Sequence, residues 1–186
     1  MSEAPSPRGK FDELALLRAW NNWNSKSLLD YSEAIFHLSP QERKKGRRAS
    51  WGSIQDVLLH VVEDYIWWYE NVPQGRGKDP LYPQFVGKDY SDIDLRVLVQ
   101  NAIEVARAFV DSLTPDNLGQ PYEVHGTVSN GAGKHTYTMT TCPADIVWHM
   151  VEEQLQHIGE INALLWQLDI DPHSHAWFSS QAAWTH

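Results

Sequence analysis

The stretch Trp148-His-Met-Val-Glu-Glu-Gln-Leu-Gln-His-Ile-Gly-Glu-Ile161 decides the fold, because it has the pattern of one long amphipathic helix. His149, Glu153 and His157 recur in it at steps of four, and residues four apart share one helical face. Neighbouring apolar residues follow the same spacing: Ile146, Met150, Ile161, Leu164 and Leu168. Burying them brings a carboxylate and up to two imidazoles towards the core, where polar groups are costly unless paired or metal-bound. The stretch therefore indicates a core helix and a candidate site.

Three further helices are predicted from apolar residues that recur every three or four positions. The first spans 11–38 and ends before Pro40, and the second spans 53–71 with Ser53 as its N-cap. The third spans 91–113, and its inward residues are predicted to be Ile93, Val97, Ala102 or Ile103, Ala106 and Val110. With 143–168 as the fourth helix, the pattern predicts an all-α four-helix bundle.

Residues 116–141 have a different character. Two β-rich runs flank Asn130-Gly131, which predicts a β-hairpin inserted between the third and fourth helices. Residues 1–9 are expected to be a disordered lead-in, and residues 10–186 to form a single domain. The tail from 169 to 186 contains Trp177, Phe178 and Trp184 and is expected to pack on the bundle by a path that its sequence does not reveal.

Composition narrows the function classes. The 186 residues carry a formal net charge of -9, which disfavours a nucleic-acid partner and an anionic membrane surface. The basic run at 43–48 lies between two predicted helices and is expected to be a solvated loop, with a nucleic-acid site there as the less favoured alternative. The single cysteine, Cys142, excludes an internal disulfide and fits a reducing cytoplasm, and no apolar stretch approaches the length that spans a bilayer. We expect a cytoplasmic protein that acts on a small molecule.

Glu153 and His157 are spaced for metal binding on one helical face, and a third ligand must come from a facing helix. His60, in the middle of the second helix, is the best candidate. Three such ligands leave coordination positions open to water or substrate, as in catalytic zinc sites. Nitrogen and oxygen donors suit Zn, Ni or Fe(II). The alternative interpretation is a pair that only stabilises its helix, because polar pairs four residues apart are common.

Other groups are candidates for the surroundings of that site. His149, Asp64 and Trp68 are expected to line a pocket or to contact the ligands. Four tryptophans are expected to form an apolar pocket: Trp67, Trp68, Trp148 and Trp166. His125 and His135 in the hairpin are expected to face solvent, although a role over the pocket stays open. Cys142 is a weak candidate nucleophile at a helix N-terminus, and a capping-turn residue is the alternative.

Three segments resemble the DinB/YfiT-like metalloenzyme superfamily: 53–68 (Ser-Ile-Gln-Asp-Val-Leu-Leu-His-Val-Val-Glu-Asp-Tyr-Ile-Trp-Trp), 143–149 (Pro-Ala-Asp-Ile-Val-Trp-His) and 157–161 (His-Ile-Gly-Glu-Ile). The resemblance implies an up-down-down-up bundle, commonly dimeric, with a divalent metal held by His60, Glu153 and His157. Glu153 stands where many members have histidine, which is similar to the pattern of mycothiol-dependent maleylpyruvate isomerases. Ile158 and Glu160 depart from the usual arginine and glutamine.

Two function classes remain open. The first is a metal-dependent enzyme, a thiol-dependent transferase or isomerase that uses Zn or Ni and a thiol such as mycothiol, bacillithiol or glutathione. A metal-dependent hydrolase is a weaker variant of this class. The second is a non-catalytic, stress-related bundle protein with a structural or vestigial metal site. Under the first class we expect a homodimer that binds a small-molecule substrate.

Overall fold

Helices dominate the computed structural model, which describes residues 12–75, 85–130 and 133–170, without the side chains of 127–135. In this part of the chain the α-helices are α1 (Glu13–Phe36), α2 (Pro40–Lys44), α3 (Ile54–Ile66), α4 (Asp92–Asp111) and α5 (Pro143–Trp166). The strands are β1 (Tyr122–Asn130) and β2 (Gly133–Thr141). The predicted lead-in, the tail beyond residue 170 and the His135 side chain lie outside the described residues.

The four long helices form the predicted bundle. α1 and α3 lie on one diagonal, and each packs against both α4 and α5. Every long helix contributes to one core, for example through Leu28, Leu58, Ile103 and Met150, all of them essentially buried. Full burial of such a side chain contributes roughly 1.5–3 kcal/mol. None of the described helices is long and apolar enough to cross a membrane.

Side-chain caps mark where α3 and α4 begin. The Ser53 side chain accepts a hydrogen bond from the Asp56 amide, as predicted. Ser91 and Asp94 form a reciprocal capping box at the start of α4. These caps satisfy amide groups that have no partner within the helix.

The inward face of α4 differs from the prediction. Ile93 and Val97 are 74% and 62% exposed, so their assignment to the core is wrong. The buried residues are Leu95, Val99, Ala102, Ile103, Ala106, Phe109 and Val110. Both series contain apolar residues four apart, so periodicity alone did not separate them. Packing against α1 and α3 selects the second series.

The connection between α1 and α3 is more ordered than expected. α1 ends at Phe36, two residues before the predicted end, and Pro40 begins the short helix α2. Ser39 caps α2 by accepting a hydrogen bond from the Glu42 amide. Proline suits the first position of a helix because the backbone N–H that it lacks would have no hydrogen-bond acceptor within the helix.

The basic run at 43–48 is not simply a solvated loop, and that prediction is wrong for Arg43. Its side chain is buried and forms an ion pair with Asp92 at the start of α4. Lys44 pairs with Asp89 at 2.6 Å. Arg47 pairs with Glu42. These carboxylates pair with three of the basic side chains, and Arg43 is the buried one.

One turn of π-helix, Trp67–Asn71, extends α3 to about its predicted end. It places Tyr69 in the core, where its ring lies 5.6 Å from Tyr65 and 5.2 Å from Phe109. Trp67 and Trp68 stay half-buried on the other side of the turn.

The predicted hairpin between the third and fourth long helices is confirmed. β1 and β2 pair antiparallel, from Tyr122 opposite Thr141 to Asn130 opposite Gly133. Val124 is buried and anchors the hairpin to the bundle. Gly126 faces Tyr137 across the strands, and a Cβ at Gly126 would lie 2.3 Å from the tyrosine ring. The close approach of that ring therefore requires glycine at 126.

Candidate metal centre

Two helices bring the three predicted ligands together. His60 comes from the middle of α3, while Glu153 and His157 lie one turn apart on α5. One ligand atom from each residue can be chosen so that all three lie within 4.8 Å of one another. His60 and His157 are buried, and Glu153 is half-buried. The convergence of these donors is a property of the packed bundle, because His60 is more than ninety residues away in sequence.

The donor set fits a divalent metal ion. Bonds of roughly 2.0–2.2 Å to nitrogen or oxygen place neighbouring ligands of a tetrahedral ion about 3.3–3.6 Å apart. Donor atoms that lie within 4.8 Å of one another can reach this geometry if their separations decrease by roughly an ångström. Two neutral imidazoles and one carboxylate leave a divalent ion with a net positive charge, which suits Lewis-acid chemistry.

His157 lies between two carboxylates of its own helix. Its Nε2 is 3.6 Å from Glu153 Oε2, and its Nδ1 is 3.2 Å from Glu160 Oε2. Burial opposes protonation of the ring, but the hydrogen bonds to Glu153 and Glu160 outweigh it and raise the pKa of His157. The bond to His157 in turn lowers the pKa of Glu153, so Glu153 is an anionic donor.

His60 is held by contacts from three directions. Its ring lies edge-on to His157, with centroids 4.7 Å apart. Trp51 covers another side at 4.1 Å, and Asp64 Oδ2 lies 3.2 Å from His60 Nε2. Burial, together with the nearby His157, lowers the pKa of His60 to about 4. The ring is therefore neutral near pH 7, which is the form that binds metals.

Glu160 links α5 to the connection before α3. The Ser50 amide donates to Glu160 Oε1 at 2.5 Å, and the Ser50 hydroxyl donates to Oε2 at 2.8 Å. Partial burial opposes ionisation, but these bonds and His157 lower the pKa of Glu160. Sequence reasoning noted Glu160 only as a departure from a family pattern. The contacts of Ser50 and Trp51 with this site were not predicted, because neither residue belongs to a periodic sequence pattern.

The DinB family model matches residues 10–176. The chain belongs to the DinB family. This confirms the resemblance seen in the three segments. A crystal structure of a DinB-like protein from Bacillus subtilis is similar, with a TM-score of 0.53 and 12% identity. The match covers 88% of this chain and 96% of that one, and at this identity it supports the fold alone. No curated protein matches the chain.

Of the remaining pocket candidates of this DinB protein, Asp64 and His149 lie beside the triad, and Trp68 contacts His149. His149 Nε2 lies 3.9 Å from Glu153 Oε1, and the His149 ring lies 4.6 Å from Trp68. Asp64 lies beside His60, as described above. Trp148 and Trp166 are 40% and 62% exposed, so the expectation that they enclose an apolar pocket is wrong. Trp148 instead contacts Trp20, with ring centroids 6.0 Å apart.

The hairpin histidine and the cysteine have separate surroundings. His125 contacts Thr138 at 3.0 Å and Glu123 at 2.6 Å, and 41% of its side chain is exposed, in line with a solvent-facing position. The Cys142 thiol donates to Asp145 at 3.2 Å. Burial raises the pKa of Cys142, which disfavours the thiolate and a nucleophilic role.

A cavity of about 470 Å³ lies away from the triad, between α1 and α4. Its lining includes Leu29, Phe36, Arg96 and Val97 and none of the three candidate ligands. Arg96 stacks over Phe36 and pairs with Glu33. The cavity is therefore a feature of the bundle surface that is separate from the candidate metal centre.

Proposed function

We propose that this DinB protein is a metal-dependent enzyme with His60, Glu153 and His157 as its metal ligands. The observation that carries the proposal is the convergence of these three donors, from two helices, within 4.8 Å. Buried polar groups are costly unless they are paired or bound to a metal, and a shared cation relieves that cost. Zn and Ni are the proposed metals, because they accept imidazole and carboxylate donors together.

The proposed reaction is thiol-dependent transfer to, or isomerisation of, an electrophilic small molecule. A divalent ion bound here supplies a Lewis acid that lowers the pKa of a coordinated thiol or water. The chain itself orients the ligands through Asp64 and Glu160. We propose that His149 and Trp68 contact the substrate, because His149 lies beside Glu153 and Trp68 packs against His149. The thiol is mycothiol, bacillithiol or glutathione.

Metal binding is tested by measuring metal content and affinity on purified protein. We expect about one equivalent of Zn²⁺ or Ni²⁺ per chain, and we expect His157→Ala to lose it. His125→Ala is the matched control, since it removes a surface histidine of the hairpin. Normal metal retention by the His157→Ala variant would defeat the ligand assignment.

Catalysis is tested by turnover of electrophiles with a panel of low-molecular-weight thiols. We expect activity that disappears on chelation and returns when the metal is restored. The His157→Ala variant should be inactive, and His125→Ala should match the wild type. A metal-loaded protein that is inert with every thiol would contradict the enzymatic proposal.

A second candidate is a non-catalytic, stress-related bundle protein that uses the metal to stabilise its fold. The packing of the triad favours it, because His60 and His157 are buried against each other and come from α3 and α5, so a shared ion would link the two helices. Under this alternative, chelation lowers the melting temperature while no substrate is turned over. The pair of measurements, thermal stability and turnover, separates the two candidates.

We also propose that the protein is a cytoplasmic homodimer. Leu29, Ile93 and Val97 are large apolar residues exposed on α1 and α4, and exposed apolar groups of this kind are typical of protein contacts. Val97→Glu should give a monomer in light scattering. Leu155→Glu, an equally drastic change at an exposed residue of α5, should leave the mass unchanged. A dimeric Val97→Glu variant would exclude this face.

A further inference from the structure

The connection between α2 and α3 reaches both histidines of the candidate centre through adjacent residues. Ser50 binds both oxygens of Glu160, at 2.5 and 2.8 Å, and Glu160 contacts His157 Nδ1 at 3.2 Å. Trp51 covers the ring of His60 at 4.1 Å, with an angle of 31° between the ring planes. One short segment therefore makes contacts that lead to ligands on two different helices.

Stability alone does not account for the Ser50–Glu160–His157 chain. Ser50 is exposed and Glu160 is only half-buried, and solvated polar pairs contribute little to folding free energy. A carboxylate beside the second nitrogen of a metal-binding histidine has a different effect. It selects one tautomer, fixes the ring orientation and makes the other nitrogen a stronger donor.

We infer that Ser50, Trp51 and Glu160 are positioning residues of the metal centre. The inference rests on the proposed metal site. Glu160 accepts a hydrogen bond from His157 Nδ1–H, which leaves the lone pair of Nε2 available for an ion shared with Glu153. The two bonds from Ser50 hold the Glu160 carboxylate in place, and Trp51 restricts rotation of the His60 ring. The segment before α3 is therefore part of the site.

Zinc affinity of the full chain is the first measurement. Loss of a group that orients a metal-binding histidine lowers affinity by roughly 10- to 100-fold, and we expect this for Glu160→Ala. Ser50→Ala should weaken binding by a smaller factor, because His157 keeps its carboxylate. Glu160→Gln should recover part of the loss, since its amide oxygen still accepts from Nδ1. Glu152→Ala, an exposed position on the same helix, is the charge-matched control and should bind like the wild type.

Nitrogen NMR of the metal-free protein gives a readout that a purely structural role would not change. In mildly alkaline buffer, we expect neutral His157 of the wild type to carry its proton on Nδ1. Glu160→Ala should shift the population towards the Nε2 tautomer, while Glu152→Ala should not. For His60, Trp51→Ala should weaken zinc binding and Trp51→Phe should preserve it, because phenylalanine keeps a covering ring.

The outcomes separate this inference from the proposed function. If the wild type binds no metal, the metal proposal fails, and the tautomer measurement still decides whether Glu160 positions His157. A second outcome is that the wild type binds zinc and His157→Ala does not, which supports the metal site. If the three variants Ser50→Ala, Glu160→Ala and Trp51→Ala then bind zinc as tightly as the wild type, the inference about positioning residues is overturned. Circular dichroism checks that each variant is folded, and Ser50→Ala, at an exposed residue, provides a variant with an intact core.

Discussion

Replacement of Gln154 by leucine tests the polar network that joins three helices in the core. Gln154 is fully buried on α5. Its Oε1 accepts from the Tyr65 hydroxyl at 2.5 Å, and its Nε2 donates to the Asn24 carbonyl at 2.5 Å. Leucine has a similar volume but no polar atoms, so Gln154→Leu leaves a buried hydroxyl and a buried carbonyl without these partners.

The expected loss follows from those two groups. The Asn24 backbone carbonyl lies inside α1 and keeps its helical hydrogen bond, so the Tyr65 hydroxyl is the group left unsatisfied. An unsatisfied buried polar group costs about 1–3 kcal/mol, and we expect a loss of this size in the free energy of unfolding. For a chain of this length, about 1 kcal/mol corresponds to a change of roughly 2–4 °C in Tm. The melting temperature should therefore fall by roughly 2–12 °C.

Denaturant unfolding and calorimetry of the metal-free protein measure this change directly. The control is the double variant Tyr65→Phe with Gln154→Leu, which removes the stranded hydroxyl as well. It should be more stable than Gln154→Leu alone, because removing both partners costs less than removing one. A Gln154→Leu variant as stable as the wild type would refute the view that this network holds α1, α3 and α5 together.

Three further predictions concern the metal, one carboxylate and the hairpin. Zn²⁺ at a hundred times its dissociation constant should stabilise the wild type by about 2.7 kcal/mol in thermal melts, with no effect on His157→Ala; an equal shift in both would place the ion elsewhere. Burial raises the pKa of Glu63, although its carboxylate accepts hydrogen bonds from the backbone N–H groups of Phe85 and Val86. Between the ordinary pKa of glutamate and this raised pKa, the folded protein therefore keeps a proton that the unfolded chain releases. Stability should therefore decrease as pH rises from the ordinary glutamate value through the raised one, and Glu63→Gln should remove that slope in denaturant titrations; an unchanged slope would contradict the assignment. Gly126→Ala should displace the Tyr137 ring and weaken the hairpin, which hydrogen exchange of strand amides would detect, whereas unchanged exchange would show that the ring moves freely.

Local patterns were sufficient for the long helices and for the spacing of Glu153 and His157, and two β-rich runs around Asn130-Gly131 were sufficient for the hairpin. These features depend on patterns within one element, and local sequence records such patterns. The pairing of His60 with α5 came from the family resemblance and from the need for a ligand on a facing helix. The structure brings these three side chains together, while metal binding by them stays a prediction.

Features that depend on contacts between elements were missed. The buried face of α4 was misassigned because Ile93 and Val97 have the same spacing as the residues that are buried. Arg43 is buried because Asp92, far away in sequence, neutralises it. Ser50 and Trp51 approach the histidines only after α3 and α5 have packed. No single segment contains the information for these contacts.

The π-helical turn at Trp67–Asn71 has a consequence for how the protein can vary. It accommodates about one residue more per turn than an α-helix, which rotates the following side chains by roughly 100°. Tyr69 is thereby packed against Phe109, while Trp68 contacts His149. The interior and the side that contacts His149 are thus assigned to separate residues, so Trp68 can be exchanged for a different ring without forcing the interior to repack.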